Sequence, residues 1–280
     1  MSDSSPLITT DELLTRLGDP RLRLVDASWH LDGRDGRVDF AAARLPGAVF
    51  FDLEAASDQA SPLPHMLPAP EAFAAYVGAL GVADRDDIVV YDTLGLVSAA
   101  RVWWMFRIMG ADRVRVLDGG LPGWRARGLP LDAGPAAVVA PAVFKTRFDA
   151  RAVAVWQDAA SAAARGEQIL DARSAARFSG AAPEPRKGLR GGHMPDARNL
   201  PFADILTADS TMKRGDDLRA AFIRAGVDLD SPVLTTCGSG VTAAILSLGL
   251  AELGYESRLY DGSWTEWGGR TDTEVVTGEA

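Results

Sequence analysis

Residues 234–243 (LTTCGSGVTA) contain the only cysteine of the 280-residue chain. Val233 and Leu234 end an apolar run that is typical of a buried strand, and the apolar spacing over residues 243–253 predicts an amphipathic helix. Cys237 is therefore predicted to lie in the turn between a strand and the N-terminus of a helix.

The turn itself favours an activated thiol. Gly238 and Gly240 allow backbone N–H groups to converge on one point, and the dipole of the following helix adds partial positive charge there. Both effects favour the thiolate of Cys237 over its thiol. A lone cysteine is more often a small core residue, but the two glycines and the polar Ser239 and Thr242 argue against burial in a core. We therefore expect Cys237 to act as a nucleophile.

The chain contains the same pattern twice. Apolar strands end at the matched pairs Asp26 and Asp171 (171 − 26 = 145), Asp92 and Cys237 (237 − 92 = 145), and Asp118 and Asp261 (261 − 118 = 143). Trp124 and Trp267 keep the last offset. A repeat this long indicates a duplicated domain, since the units of solenoid proteins are far shorter.

Each half alternates short apolar strands with helices, which predicts a mostly parallel sheet covered by helices on both faces. We therefore predict an α/β fold with two tandem domains, at residues 1–135 and 151–280. The linker is placed at residues 136–150, where its first part is rich in proline and small residues.

The composition disfavours several classes of function. A hydrophobic share of 47% with 24% charged residues is that of a soluble globular protein, and the net charge of −9 gives no support to nucleic acid or an anionic membrane as a partner. One cysteine excludes an internal disulfide and a cysteine-rich metal site, and three scattered histidines make no convincing metal site. No signal peptide or membrane span is visible, so we expect a cytoplasmic protein without a metal or cofactor.

The duplication, an aspartate in the first loop and a cysteine in the second resemble the pattern of tandem rhodanese-domain sulfurtransferases, over nearly the whole chain. Further matching motifs are residues 24–29 (LVDASW), 65–68 (HMLP), 101–106 (RVWWMF), 118–120 (DGG) and 260–264 (YDGSW). Within this family, the loop CGSGVTA resembles that of 3-mercaptopyruvate sulfurtransferases, whereas thiosulfate sulfurtransferases tend to have basic residues after the cysteine. The resemblance implies two rhodanese-like domains and a sulfur-transfer activity.

The resemblance further implies covalent catalysis in two half-reactions. The Cys237 thiolate would attack the sulfur of 3-mercaptopyruvate, forming a persulfide and releasing pyruvate, and cyanide or a thiol such as thioredoxin or a small thiol would then take the outer sulfur. Because Asp92 cannot accept sulfur as a persulfide, the first domain is expected to be inactive. The backbone N–H groups expected to stabilise the persulfide anion belong to Gly238, Ser239, Gly240, Val241 and Thr242.

Two arginines match the residues that in the family hold the substrate's carboxylate and carbonyl. They are Arg177 and Arg186, in a Gly- and Pro-rich stretch. A guanidinium suits a 2-oxo acid because its fork binds a carboxylate bidentately. Arg190 lies close by, but nothing in its setting gives it a role in substrate binding.

A second set of residues resembles a serine-protease-like proton relay. Ser239 and His65 match the family's serine and histidine directly. Glu54 stands where the family commonly has aspartate; its longer side chain can still reach His65, or Asp52 can take that place, or Glu54 is an ordinary surface residue. Because His65 belongs to the first half and Ser239 to the second, the active site is expected between the domains.

Three other functions fit parts of the pattern. Cysteine phosphatases of a related fold need an arginine six positions after the cysteine, where this chain has Ala243, so phosphate-ester hydrolysis is disfavoured. Thiosulfate:cyanide sulfur transfer is a closer alternative, but Gly238 and Ser239 add no positive charge for a dianionic donor. A non-enzymatic sulfur carrier or regulatory module is the third possibility.

Overall fold

The computed structural model describes residues 5–278, so the first four residues, on which the expected absence of a signal peptide rests in part, lie outside it. The chain forms two compact units. The first comprises residues up to 59, 67–149 and 208–212, and the second comprises 60–66, 150–207 and residues from 213 onward. Each unit therefore includes a short segment from the other half of the sequence.

The first unit is a five-stranded sheet with helices in the connections. Its elements are β1 (Leu7–Ile8), α1 (Thr10–Leu14), β2 (Leu22–Asp26), α2 (Gly36–Ala42), β3 (Val49–Phe50), α3 (Pro70–Ala79), β4 (Asp87–Tyr91), α4 (Ala99–Ile108), β5 (Arg113–Leu117) and α5 (Gly120–Ala126). The strand order is β1-β5-β4-β2-β3, and every pair is parallel.

The second unit repeats this arrangement. Its elements are a 3₁₀ turn (Ala150–Ala152), β6 (Val153–Ala154), α6 (Trp156–Arg165), β7 (Gln168–Asp171), α7 (Ala175–Phe178), β8 (Arg198–Asn199), a 3₁₀ turn (Phe202–Ile205), α8 (Gly215–Arg224), β9 (Val233–Thr236), α9 (Ala243–Glu252), β10 (Ser257–Tyr260) and α10 (Ser263–Trp267). The order β6-β10-β9-β7-β8 is that of the first sheet, and all pairs are again parallel. The predicted α/β fold with two parallel-sheet domains is confirmed.

The strand order of the second sheet determines which residues follow its central strands at the carboxyl edge. From β7 the chain moves to β8 on one side, whereas from β9 it moves to β10 on the other. The point between β7 and β9 is thus a topological switch point, where parallel α/β sheets bind their ligands beyond the carboxyl ends of the strands. Cys237 directly follows β9, and Arg173 lies two residues after the end of β7.

Central strands β4 and β9 are buried along their whole length, as expected for a parallel sheet covered on both faces. Each unit has its own apolar core. Trp124 lies in the first core, and Trp264 and Trp267 lie in the second. These tryptophans come from the short helices α5 and α10, which explains why the tryptophan repeats with the duplication.

The exchanged segments keep the symmetry of the duplication. His65 in the second unit and Ser210 in the first are 145 positions apart, and both have a left-handed backbone with φ of 61°. In the first unit, Met212 N donates a hydrogen bond to Asp118 Oδ1 at 2.8 Å, and Ser210 lies against Gly95.

Candidate active site

Cys237 lies at the carboxyl end of β9, and residues 238–242 turn the chain into α9. Gly240 has a left-handed backbone with φ of 76°, and its counterpart Gly95 in the first unit has φ of 105°. Residues with a Cβ rarely adopt this conformation. Glycine at this position therefore lets both loops make the same turn.

The side chain of Cys237 is buried, with only 1% of the residue exposed. The expectation that the polar, glycine-containing loop keeps this cysteine out of the core is wrong. The first turn of α10 holds the loop inward, because Trp264 N donates to Cys237 O at 3.0 Å and Thr265 N donates to Gly238 O at 2.9 Å. Ser263 Oγ also accepts a hydrogen bond from Cys237 N at 3.3 Å.

The equivalent loop of the first unit, after β4, binds a carboxylate through its backbone. The carboxylate of Asp92 is fully buried and accepts three backbone hydrogen bonds from its own loop. The donors are Leu94 N at 2.8 Å to Oδ1, and Val97 N at 2.7 Å and Ala99 N at 2.9 Å to Oδ2. The loop thus holds an anion by its backbone, as do other loops that open a helix.

The second unit has residues at the same positions after the cysteine. Ser239, Thr242 and Ala244 are the counterparts of Leu94, Val97 and Ala99 at the offset of 145 residues. Within residues 5–278, the backbone N–H groups of 238–242 donate no hydrogen bond. Gly240 and Val241 are buried, and Gly238 and Thr242 are half-buried. The five N–H groups predicted to stabilise an anion thus have no acceptor within the described residues. Their contact with a charged sulfur stays a prediction.

Ser239 and His65 are brought together in the second unit. Ser239 Oγ lies 3.0 Å from His65 Nδ1, and both side chains are buried. The left-handed backbone of His65 is unusual for a residue with a Cβ, so the surrounding structure must hold it in place. The hydroxyl can donate to Nδ1 or accept from it, depending on the tautomer of the ring. The pair can therefore pass a proton in a site shielded from solvent.

The two acids proposed for the relay both lie in the first unit. Glu54 is exposed and accepts a hydrogen bond from Trp29 Nε1 at 2.8 Å. Asp52 accepts the backbone N–H groups of Glu54 and Ala55 at 3.0 and 3.1 Å, and it forms an ion pair with Arg37. These contacts explain how the turn at 52–55 is fixed. A role for Glu54 or Asp52 in the relay stays a prediction.

Arg177 reaches the cysteine loop from the last turn of α7. A Cβ built on Gly238 would lie 2.9 Å from Arg177 Nη2, closer than real Cβ contacts. Arg177 is partly accessible, with 21% of its side chain exposed. A glycine at position 238 is therefore what allows the guanidinium to lie directly over the loop.

The sequence did not predict the charged residues that hold Arg177. Glu184 accepts hydrogen bonds from Arg177 Nε at 3.3 Å and Nη2 at 2.5 Å, and from Arg173 Nη1 at 2.8 Å. Arg173 is itself buried and paired with both carboxylate oxygens of Asp171. Burial alone would lower the pKa of Arg173, but the charges of Asp171 and Glu184 raise it above its ordinary value. The only local signal was the rigid sequence Pro183-Glu184-Pro185 between the two predicted arginines.

The other predicted and rejected residues occupy distinct places. Arg186 is half-buried, directly after Pro185. Arg190 donates to the carbonyl oxygens of Trp267, Gly268 and Thr273, so it supports the C-terminal segment. The histidines left without a role are both packed: His193 stacks on Phe178 with ring centroids 3.8 Å apart, and His30 bonds to Asp39 at 2.6 Å.

Residues 5–278 contain no group of three or more His, Cys, Asp or Glu side chains arranged to hold a metal ion. Over the same residues, no helix is long and apolar enough to cross a membrane.

Comparisons with known proteins agree with this geometry. A family model described as the Rhodanese-like domain matches residues 9–127 and 155–270. The chain is 40% identical over 306 residues to thiosulfate/3-mercaptopyruvate sulfurtransferase 1, mitochondrial, of Arabidopsis thaliana, covering 100% of this chain and 80% of the plant protein. It is 44% identical over 270 residues to the 3-mercaptopyruvate sulfurtransferase of Homo sapiens, covering 94% and 90%.

Among solved structures, the chain is similar to SseA from Escherichia coli, which is described as a 3-mercaptopyruvate sulfotransferase with the rhodanese fold. The TM-score is 0.85 at 40% sequence identity, and the match covers 93% of this chain and 99% of that chain. The similarity therefore extends over both units rather than over one repeat.

Proposed function

The chain belongs to the rhodanese family, with two tandem rhodanese-like domains, and we propose that it is a 3-mercaptopyruvate sulfurtransferase. The observation that carries the proposal is the loop that follows Cys237 after β9, because the equivalent loop of the first unit binds a carboxylate through its backbone N–H groups. The names of full-length relatives at 40% and 44% identity support the donor.

In the first half-reaction, the thiolate of Cys237 attacks the sulfur of 3-mercaptopyruvate. A sulfur–sulfur bond forms, the carbon–sulfur bond breaks, and its electron pair goes to the methylene carbon, which takes up a proton to give pyruvate. The products are pyruvate and a Cys237 persulfide. Negative charge on the outer sulfur is stabilised by the N–H groups of residues 238–242, which cost no reorganisation because the loop is already formed.

Proton transfer is assigned to Ser239 and His65. The substrate thiol loses a proton and the departing carbon gains one, so a group that can do both is needed beside the sulfur. The Ser239 hydroxyl, 3.0 Å from His65 Nδ1, can accept the first proton and deliver the second. Glu54 is proposed to orient the ring, with Asp52 as the alternative.

Arg177 and Arg186 are assigned to substrate binding. The guanidinium of Arg177 lies over Gly238, next to the nucleophile, and retains partial exposure. A planar fork of donors binds the carboxylate of a 2-oxo acid bidentately. Arg186 is proposed to contact the carbonyl or the second carboxylate oxygen.

In the second half-reaction, an acceptor thiol attacks the outer sulfur and Cys237 leaves as a thiolate. Because the chain has one cysteine, no internal disulfide can discharge the persulfide. We therefore propose an external acceptor, either thioredoxin or a small thiol, with cyanide as a substitute that yields thiocyanate. A cytoplasmic location likewise stays a proposal.

The deciding experiment measures pyruvate release from 3-mercaptopyruvate by wild type, Cys237→Ser and Ser239→Ala. We expect Cys237→Ser to be inactive and Ser239→Ala to lose on the order of 10²-fold in kcat, the usual contribution of general acid–base catalysis. Full activity of Cys237→Ser would contradict the proposed mechanism. If 3-mercaptopyruvate yields no pyruvate but Cys237 forms a persulfide from another donor, such as inorganic polysulfide, the non-enzymatic sulfur carrier would be favoured.

Thiosulfate as donor is the second candidate, because the plant relative's name includes both donors. Neither Gly238 nor Ser239 adds positive charge for a dianion. Comparing kcat/KM for the two donors separates the possibilities, and a clear preference for thiosulfate would contradict the assignment of 3-mercaptopyruvate.

A further inference from the structure

Glu184 is placed to fix the orientation of Arg177. Its carboxylate meets the Nε and Nη2 edge of that guanidinium, and its own side chain is only 2% exposed. Within the described residues, Arg177 Nη1 donates no hydrogen bond. The remaining edge, formed by Nη1 and Nη2, faces Gly238. A Cβ added to Gly238 would lie 4.0 Å from Nη1 and 2.9 Å from Nη2. This second edge is therefore the one that Arg177 can offer to a substrate beside Cys237.

The backbone around Glu184 is unusually constrained. Pro183 fixes its own φ, and Pro185 restricts Glu184 to an extended backbone. Ala182 N also donates to Ala176 O at 2.8 Å, which ties this loop to α7. The carboxylate is thus placed in advance of substrate binding, and little conformational entropy is lost when it pairs with Arg177.

Arg177 belongs to an ion-paired cluster without net charge. Asp171, Arg173, Glu184 and Arg177 form a continuous chain of ion pairs with two positive and two negative members. Three of these side chains are no more than 2% exposed, so solvent screens them little. This cluster therefore adds no net positive charge that would attract a dianion, and Arg177 can still bind a monoanion through directed hydrogen bonds.

We propose that Glu184 is a positioning residue that directs the free edge of Arg177 toward the Cys237 loop, and that its charge makes the site selective for a monoanionic 2-oxo acid over dianionic thiosulfate. The inference rests on the proposed function, since it concerns the donor bound at the same site. It assigns donor preference to a residue outside the cysteine loop.

The test compares kcat/KM for 3-mercaptopyruvate and for thiosulfate in Glu184→Gln. Because the neutral amide loosens Arg177, we expect kcat/KM for 3-mercaptopyruvate to fall roughly tenfold, mainly through KM. Removing one buried negative charge strengthens attraction for a dianion, so kcat/KM for thiosulfate should rise about threefold. A merely structural role would lower both values together, and that result, or an unchanged ratio, would overturn the proposal.

Glu184→Asp separates charge from position and covers the case in which Glu184→Gln does not fold. It keeps the charge balance with Arg173 but shortens the reach to Arg177 by one methylene. KM for 3-mercaptopyruvate should rise, whereas kcat/KM for thiosulfate should not. An unchanged KM in this variant contradicts the positioning role. The matched control is Glu167→Gln, which removes an acid paired with Arg165 on the surface and should leave kcat/KM for both donors within about twofold.

A double substitution tests whether Glu184 acts through Arg177. In an Arg177→Ala background, adding Glu184→Gln should cause no further rise in KM for 3-mercaptopyruvate, because the group it positions is gone. Additive rises would show that Glu184 acts by another route and would overturn the assignment. Pyruvate release by the wild type decides the proposed function separately from both of these comparisons.

Discussion

Replacing Asp92 by alanine tests whether the strand-to-helix loops of this fold are built to hold an anion. Asp92 is fully buried, and its carboxylate accepts the N–H groups of Leu94, Val97 and Ala99 at 2.7–2.9 Å. The substitution removes the anion and leaves three inward-facing donors without their acceptor. The equivalent loop is proposed to stabilise the persulfide on Cys237, so the result also tests the basis of that proposal.

The expected cost follows from these bonds. Hydrogen bonds to a charged group contribute about 1.5–3 kcal/mol each, so three contribute roughly 4.5–9 kcal/mol. Burying the carboxylate costs several kcal/mol in the wild type, which offsets part of this sum. We therefore expect the free energy of unfolding of the first unit to fall by about 3–5 kcal/mol, a large share of a domain's usual stability.

The assay is urea unfolding followed by hydrogen exchange and mass spectrometry of peptides from β4 and α4, which report on the first unit alone. Sulfate at matched ionic strength should raise the midpoint of Asp92→Ala more than that of the wild type, because the ion replaces the carboxylate. Asp11→Ala is the control; its side chain is 79% exposed, and a change within about 0.5 kcal/mol is expected. A loss below about 1 kcal/mol in Asp92→Ala, with no specific effect of sulfate, would refute the reasoning.

Two further predictions concern single residues. Burial raises the pKa of Asp26 to about 6; the folded state then binds the proton more tightly than the unfolded state, so stability falls by about 3 kcal/mol as the pH rises from about 4 to about 6. Asp26→Asn should remove this loss, and equal pH dependence of the urea midpoint in variant and wild type would contradict it. Gly238→Ala should displace the tip of Arg177 and raise KM for 3-mercaptopyruvate roughly tenfold. Its thermal midpoint should barely change, because Gly238 has no left-handed backbone; steady-state kinetics with an unaltered KM would count against this contact.

Much of the fold was predictable because the same sequence pattern occurs in both halves of the chain. Asp92 and Cys237 each follow an apolar run, and the same offset relates His65 to Ser210, down to a shared left-handed φ. Local apolar patterns determine strands, and a second copy of each pattern removes much of the ambiguity of a single one. The equal order of the two sheets is the structural counterpart of that repetition.

The burial of Cys237 was not predictable in the same way. It depends on α10, which begins at Ser263 and bonds back to the loop through Trp264 and Thr265. The roles of Glu184 and Arg173 likewise depend on which side chains come into contact after folding. The sequence around neither residue indicates which side chain it will pair with. Local sequence reports propensity and periodicity, whereas these features are set by packing between distant segments.

The first unit acts as an internal control for what sulfur transfer requires. It has the same sheet order and the same loop, and that loop binds an anion through its backbone. It lacks the other groups, because Asp92, Leu94 and Ser210 stand where the second unit has Cys237, Ser239 and His65. Anion binding by the loop is therefore present in the unit that lacks the cysteine. The proposed chemistry depends in addition on three side chains, one of which reaches the second unit from the first half of the sequence. This dependence gives the first half a reason to be retained even without a nucleophile of its own.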